Sequence, residues 1–520
     1  MVKYLPEVFM RILLALLALF SFSAQAAKQE MNLRIETEPP TLDWNLATDY
    51  VSINVLYHLI EGLAEYNDKL EAVPSLATWK VSKDGKTYTY TIKKGVKWSD
   101  GVPVTAQHFW DSWERTLNPA TASGYAYFLF DVVNAKEYNE GKLKDASQLG
   151  FKVVNDSTFV VTLTKPATYF ATIPAFTVTF PIRKDVIAKF GNKWTEPENM
   201  VVTGPFKMTE WKHDSRVILG QNPNYRGEKP KLEKVSLFVV KEDITAINMF
   251  ETGKLDYLNR LPALEIERLQ KTPAFRRLPY LRGYYYGFNI DKAPFNDVRV
   301  RKAFAHAINR ADITALIKGG QVPLSSWIPK GMLGFNEKIG LQYDPKKAQA
   351  LLAEAGFPGG KGFPATKFMF DTREDNKAIA ERLQAQWQKV LGVTLSAENE
   401  EWKVYLGRLR ADAPAVFRHG WGADFPDPDN FANMFTSYSG NNFTRWKSKE
   451  YDTLIEKAAA EASGPKRVKL YDRAQKLLLE EAVAIVPLFQ ESINLLVAPK
   501  VKGLSINALG LLKISKVEIK

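Results

Sequence analysis

There is no cysteine in the 520-residue sequence. That absence excludes disulfides, thiolate metal sites, cysteine nucleophiles and a lipid-modified cysteine at a processed N-terminus. Histidine is almost as scarce. Five residues (His58, His108, His213, His306, His419) are scattered along the chain, and structural or exposed roles are the simplest reading for each. Neither Gly-x-Ser-x-Gly nor His-Glu-x-x-His occurs, so a nucleophile elbow and a zinc helix lack their usual signatures. No internal repeat and no low-complexity linker is found. Beyond the first 22 residues no apolar run is long enough to cross a bilayer.

What is present is ordinary for a globular protein: 45% hydrophobic and 25% charged residues. This composition excludes a disordered tail, a collagen-like fibre and a multi-span membrane protein. At roughly 150 residues per domain the length suggests about three domains. The net charge is +12, from 70 Lys and Arg against 58 Asp and Glu. It bears on solubility and non-specific partners rather than on fold. The basic pairs Lys93-Lys94 and Arg276-Arg277 lack the interleaved aromatics of a nucleic-acid platform and read as solvated faces.

Residues 1–26 read as a secretory signal peptide. Lys3 and Arg11 supply positive charge, residues 12–22 are largely apolar, and Ala24-Gln25-Ala26 gives the small-x-small pattern cut by signal peptidase. Met10 is an alternative start. The rival reading, a membrane anchor, fails because so short a run cannot cross ~30 Å of hydrocarbon as a helix. An exported protein in a bacterial periplasm is the expectation.

Alternation of Leu33 and Ile35 with polar neighbours predicts a strand over 31–38, stopped by Pro39-Pro40. Helical spacing over 51–63 predicts a helix with Asp49 as its cap. Asp84-Gly85 marks a hairpin between 79–81 and 87–92, and Asn155-Asp156 marks a second over 151–163. Thr105 is placed to cap a helix carrying Phe109, Trp110 and Trp113. Strands are expected at 206–211, 217–219, 235–240, 283–290, 366–370 and 393–397. Helices are expected from Asp297, from Asp344-Pro345 to about Ala355, and over 376–391. This alternation points to an α/β lobe in the second half. The glycine-rich loop 356–362 has Gly362 where a phosphate loop needs Ser or Thr after Lys361, and it follows a helix, so it reads as a surface loop.

The stretch 418–430 stands apart. Gly420 and Gly422 flank Trp421 and permit a second backbone to approach, and Asp424 is a single carboxylate at a strand end before Pro426. Such a group is placed to meet a cation; an exposed loop carboxylate is the bland alternative. Arg418 lies within the same seven positions, and Trp402 follows Glu400-Glu401 upstream.

Blocks along the whole processed chain carry a resemblance: 37–43, 95–106, 121–123 with Tyr125, 191–195, 284–289, 294–301, 399–403 and 422–424. Together they make the sequence resemble the periplasmic oligopeptide-binding proteins of ATP-driven peptide importers, of the oligopeptide or murein-peptide type. The resemblance implies an α/β, periplasmic-binding-protein-like fold with two large lobes joined by a two-segment hinge and a smaller extra α/β lobe. The implied division is lobe I at 27–50, 174–283 and 490–520, the extra lobe at 51–173, and a third lobe at 284–489. It further implies that peptides are captured in the interlobe cleft and delivered to a permease complex of the inner membrane. No catalytic residue, metal, cofactor or nucleic acid is implied, and a monomer is expected.

By matching position, Asp424 is implied to hold the ligand's α-ammonium and the strand at Gly420 to Gly422 to pair with its backbone. Trp402 and Trp421 would wall side-chain pockets, with core packing as the alternative. Glu38 and Arg418 would lie at the cleft, facing each other on closure, although an ion pair between lobes would use the same residues. Tyr125 and Phe128 match the region where the smaller lobe meets the ligand. Tyr284, Tyr285 and Tyr286 read as hinge and core.

Three departures bear on C-terminal recognition and on the signature helix. Asn376 stands where a histidine or other cation is usual, Leu488-Phe489-Gln490 replaces a tyrosine-rich strand, and His108 replaces an acid. Arg373, Lys377 and Lys318 are candidate substitutes for the missing cation, with surface roles as the alternative. Two other functions share the cleft: a secreted peptide hydrolase, which turnover would reveal, and a non-transport peptide sensor or chaperone, which the absence of neighbouring permease genes would favour.

Overall fold

The computed structural model describes residues 28–520; the signal peptide read at 1–26 lies outside the described residues. Short polar side chains set where the helices start. Asp49 accepts from Ser52 N at 2.9 Å and opens helix Tyr50–Leu59. Asp297 and Asp344 do the same for Val298–His306 and Pro345–Glu354. Helix Ala106–Leu117 carries a capping box in which His108 takes the role an acid usually fills. Its Nδ1 accepts from Thr105 N at 3.0 Å. That contact needs an unprotonated ring nitrogen, and burial, helped by the Arg183 charge, pushes the imidazole down to about 4.

The smaller lobe is built on a four-stranded antiparallel sheet in the order Ala77–Val81, Thr87–Ile92, Thr158–Thr162, Phe151–Asn155. Phe109 and Trp113 from the capped helix bury against Phe151 and Phe159 of this sheet. Its core is continuous with that of the lobe carrying strands Glu30–Ile35, Phe206–Lys212, Arg216–Gln221 and Lys234–Val239.

An eleven-stranded sheet runs through both large lobes. Two long strands at its centre, Phe275–Phe288 and Ile485–Val497, pair antiparallel and cross from one lobe to the other. Phe275 to Pro279 pair with Leu496 to Ser492 beside strand Tyr257–Asn259, whereas Gly283 to Gly287 pair with Gln490 to Ile485 beside strand Val416–Gly422. The register slips between Pro279 and Gly283, at the crossing. Gly283 is required there: a Cβ would lie 2.8 Å from the ring of buried Trp327. The period of two along this strand sends Tyr284, Tyr286 and Phe288 into the core on one face and Tyr285 into the core on the other. All three tyrosines are buried, as core residues are.

Four boundaries differ from the sequence reading by three residues or more, the first strand ending at Ile35 rather than 38. The first helix stops at Leu59 rather than 63, because Leu59 O accepts from Gly204 N and Ile60 is extended. The central strand begins at Phe275 rather than Gly283, its first half being held by pairing with Ser492 to Leu496. The strand expected at 393–397 is Ser396–Glu400, set by parallel register with Lys367–Asp371, while Val393 and Leu395 are buried in the core before it.

Candidate functional site

Strand Val416–Gly422 pairs along its length with Phe275–Phe288, from Gly422 opposite Arg282 to Val416 opposite Phe288. On its other side it meets strand Lys367–Asp371 at two positions, Val416 with Phe368 and Phe417 with Met369. There the strands diverge, and the buried Tyr405 hydroxyl bridges Met369 O at 3.0 Å and Arg418 O at 2.8 Å. Beyond that wedge no strand among the described residues pairs with His419 to Gly422 on this side. A Cβ at Gly422 would meet nothing closer than 3.9 Å, whereas at Gly420 it would lie 3.0 Å from Gly283 O. The room expected beside both glycines is therefore found at Gly422. Gly420 serves the neighbouring strand.

Asp424 follows directly. It is half-buried, and its two oxygens accept from tyrosines of the smaller lobe: Oδ2 from Tyr127 at 2.9 Å and Oδ1 from Tyr125 at 3.3 Å. Asn430 Oδ1 accepts from both Asp424 N (3.1 Å) and Trp421 Nε1 (2.8 Å), fixing the carboxylate and the indole together. No Lys, Arg or His among the described residues pairs with Asp424. Burial pushes its carboxyl up to about 6 despite hydrogen bonds from Tyr127, Asn430 and Tyr125.

Around this point the smaller lobe meets the sheet. Phe425 stacks on Tyr169 at 5.2 Å and meets Phe128 edge-on at 5.9 Å, and Thr168 N donates to Ala459 O. Phe128 is buried, stacked on Phe176 at 4.6 Å and packed edge-on against Tyr125 at 5.1 Å. Trp402 opens helix Trp402–Asp412 and is 45% exposed, with its ring 6.1 Å from His419. Trp421 is half-buried, packed against the core that holds Tyr285, Trp327 and Phe417.

Glu38 and Arg418 are each bonded to other groups rather than to one another. Glu38 accepts from Trp211 Nε1 (2.7 Å) and Asp214 N (3.0 Å), with His213 Nδ1 at 2.9 Å, all within its own lobe. Arg418, 3% exposed, pairs with Asp371 at 2.8 Å and lies over the Tyr284 ring at 4.4 Å. Each charge is already answered nearby, so neither needs the other.

Asn376 is buried, accepting from the Tyr284 hydroxyl and donating to Asp371 O. Gln490 is likewise buried, bonded to the backbone of Tyr280 and Lys330. Of the substitute cations, Lys318 pairs with Glu267 on the surface and Lys377 is exposed. Arg373 alone feels Arg418, Arg282 and Arg260. Its side chain is exposed and lies 4.0 Å from Asp375, yet desolvation and then these like charges, partly offset by Glu491, hold its guanidinium below the ordinary range. Tyr127 and Asn430 were not singled out from the sequence. The Tyr-x-Tyr spacing of 125 and 127 is the one signal that pointed to the former. Among the described residues no group of three His, Asp or Glu could hold a metal ion, and no helix is long and apolar enough to cross a membrane.

Residues 71–443 match the family model described as bacterial extracellular solute-binding proteins, family 5 Middle. The chain is 35% identical over 492 residues to the periplasmic oligopeptide-binding protein OppA of Salmonella typhimurium, covering 92% of this chain and 90% of that protein. It is 34% identical over 479 residues to the oligopeptide-binding protein OppA of Bacillus subtilis, covering 89% and 87%. The solved structure of the Escherichia coli murein tripeptide binding protein MppA superposes with a TM-score of 0.84 at 31% identity, covering 95% of this chain and 99% of that one.

Proposed function

The chain belongs to the bacterial extracellular solute-binding proteins of family 5, and from that premise we propose that it captures peptides between its lobes and delivers them to an ATP-driven permease. The observation that carries this reading is Asp424, a carboxyl that among the described residues has no cationic partner and stands at the end of a strand edge that no described strand covers. A peptide laid along His419 to Gly422 is gripped through main-chain groups that every sequence shares. Its α-ammonium then supplies the charge that Asp424 lacks, by a charge-assisted hydrogen bond. Trp421, held by Asn430, and the exposed Trp402 stand beside that edge as walls for side chains of varied shape. Micromolar affinity, roughly −8 kcal/mol, suffices for capture and still permits release.

The lobe division at 27–50, 174–283 and 490–520, 51–173, and 284–489 is part of the same proposal; the register slip between Pro279 and Gly283 supports a hinge at the crossing. Glu38 and Arg418 enter it as supports of their own lobes. Release into the periplasm after removal of residues 1–26, action as a monomeric receptor rather than an enzyme, and docking on a permease in the inner membrane complete it.

Native mass spectrometry of protein purified without denaturant tests the reading. A ladder of co-purified peptide masses is expected. Its absence, together with no binding of a tripeptide or pentapeptide library, would refute it, and turnover of bound peptides would point to the hydrolase instead.

A further inference from the structure

A cavity of about 260 Å³ shares no lining residue with the strand edge at His419 to Gly422 or with Asp424. Its walls come from the end of helix Tyr50–Leu59 and the segment after it, from the loops around Pro205 and Tyr225, and from the C-terminal segment near Lys513. No lining residue falls between 229 and 506, so the cavity does not depend on the third lobe or on its closing. At ~30 Å³ per water it holds roughly eight waters.

The lining carries three carboxylates, Glu61, Glu65 and Glu228, against two lysines, Lys513 and Lys516. Glu65 pairs with Lys513 at 2.7 Å and so is neutralised. Glu61 has no cation partner; its carboxyl accepts from the Tyr225 hydroxyl at 2.8 Å, which leaves most of its acceptor capacity free. Burial pushes Glu61 up to about 7, offset in part by the Tyr225 hydroxyl and by the charges of Lys513 and Lys93. His58, 3% exposed, also lines the cavity, and its Nε2 has no hydrogen-bond partner. Burial lowers its pKa to about 4, so the ring is neutral and adds no positive charge to the lining. The aromatic walls are committed at their polar ends. Tyr57 donates to Ala175 O and Tyr66 to Thr172 O, leaving their rings, with that of Phe180, as apolar surface.

A half-buried carboxyl that forms no ion pair and rings with negative faces favour a positively charged guest with an apolar body. We propose that this cavity is a second, preformed ligand site, separate from the peptide cleft, for a small organic cation: an ammonium group on an aromatic or aliphatic body.

Isothermal titration of 2-phenylethylammonium at pH 8 tests it, using the processed chain carrying Asp424→Asn so that the cleft carboxylate is silent. Binding at one equivalent is expected, with phenylacetate at least tenfold weaker. Glu61→Gln in the same background is expected to weaken the amine at least tenfold. Ser75→Phe, which fills the cavity from a half-buried wall position, is expected to abolish binding. Absence of amine binding in the Asp424→Asn protein would overturn the proposal, as would equal binding of phenylacetate. Retention of full affinity in folded Glu61→Gln and Ser75→Phe proteins would do the same.

Discussion

The Tyr127 hydroxyl donates to Asp424 Oδ2 at 2.9 Å, joining the smaller lobe to the end of a sheet strand 297 residues away. Together with Tyr125 it gives the carboxyl neutral donors on both oxygens but no positive charge. The carboxyl is thereby oriented, and its charge stays available to a ligand.

Removing one of those donors tests this division of labour. Tyr127→Phe deletes a hydrogen bond to a charged group, a loss of about 1–2 kcal/mol. Peptide affinity is expected to fall roughly five- to thirtyfold by titration calorimetry. The melting temperature is expected to change little, because Tyr127 is partly exposed.

Asp424→Asn separates binding from stability. The folded carboxyl sits near 6 against an ordinary value of 3.8, so the folded state holds its proton more tightly than the unfolded chain does. Its ionisation therefore costs stability as pH rises from 3.8 through 6, and the cost is complete above 6. Removing the charge at pH 7.5 is expected to stabilise the ligand-free protein by up to about 3 kcal/mol, less where cleft water screens it. The same change is expected to weaken peptides with free amino termini at least tenfold while leaving N-acetylated peptides unaffected. Urea titration and calorimetry read the two effects, and equal losses for both peptide types would move the carboxylate's role elsewhere.

The same group sets a pH profile for capture. Pairing with an ammonium requires the ionised carboxyl, and an apparent value near 6 leaves about a tenth of it ionised at pH 5. Affinity for a free-amino-terminus peptide is expected to drop roughly tenfold between pH 7 and pH 5. An N-acetylated peptide, or the Asp424→Asn protein, is expected to give a flat profile over that range.

Local chemistry made much of the molecule legible in advance. Asp49, Asp297 and Asp344 announced helix starts because a short carboxylate before a helical pattern has few other uses. Asp84-Gly85 announced its hairpin in the same way. Asp424 was legible as a lone acid at a strand end. What depended on distant partners was not. Glu38 is claimed by Trp211, His213 and Asp214, nearly 180 positions on, and Arg418 by Asp371. No local pattern distinguishes a charge answered within its lobe from one reaching across a cleft. Strand Ser396–Glu400 was misplaced because Val393 and Leu395 are as apolar as strand residues, yet pack into the core ahead of the paired segment.

The Arg418–Asp371 pair should behave as a buried ion pair. Arg418→Met leaves Asp371, which is equally buried, without its counter-charge, and breaking such pairs from one side costs about 3–5 kcal/mol. Chemical denaturation is expected to show that loss. Arg418→Met with Asp371→Leu is expected to recover most of it, since the charge left stranded is then gone. A double variant no more stable than the single would assign the loss to the Arg418 contact with Tyr284 instead.

Two glycines on neighbouring strands separate fold from function. At Gly283 a Cβ lies 2.8 Å from the Trp327 ring, and that ring cannot yield easily. Its Nε1 donates to Phe431 O at 2.8 Å, its backbone N donates to Gln475, and Tyr285 packs edge-on at 4.9 Å. Gly283→Ala is therefore expected to destabilise by about 1–3 kcal/mol through overpacking. At Gly422, on the paired strand, the nearest atom to a new Cβ is 3.9 Å away and the φ is an ordinary one, so Gly422→Ala is expected to leave stability within about 0.5 kcal/mol. Because Gly422 borders the uncovered strand edge, a bulkier Gly422→Val is expected to block an incoming backbone and weaken peptide binding at least tenfold in a folded protein. Unchanged binding by Gly422→Val would place the peptide along some other edge.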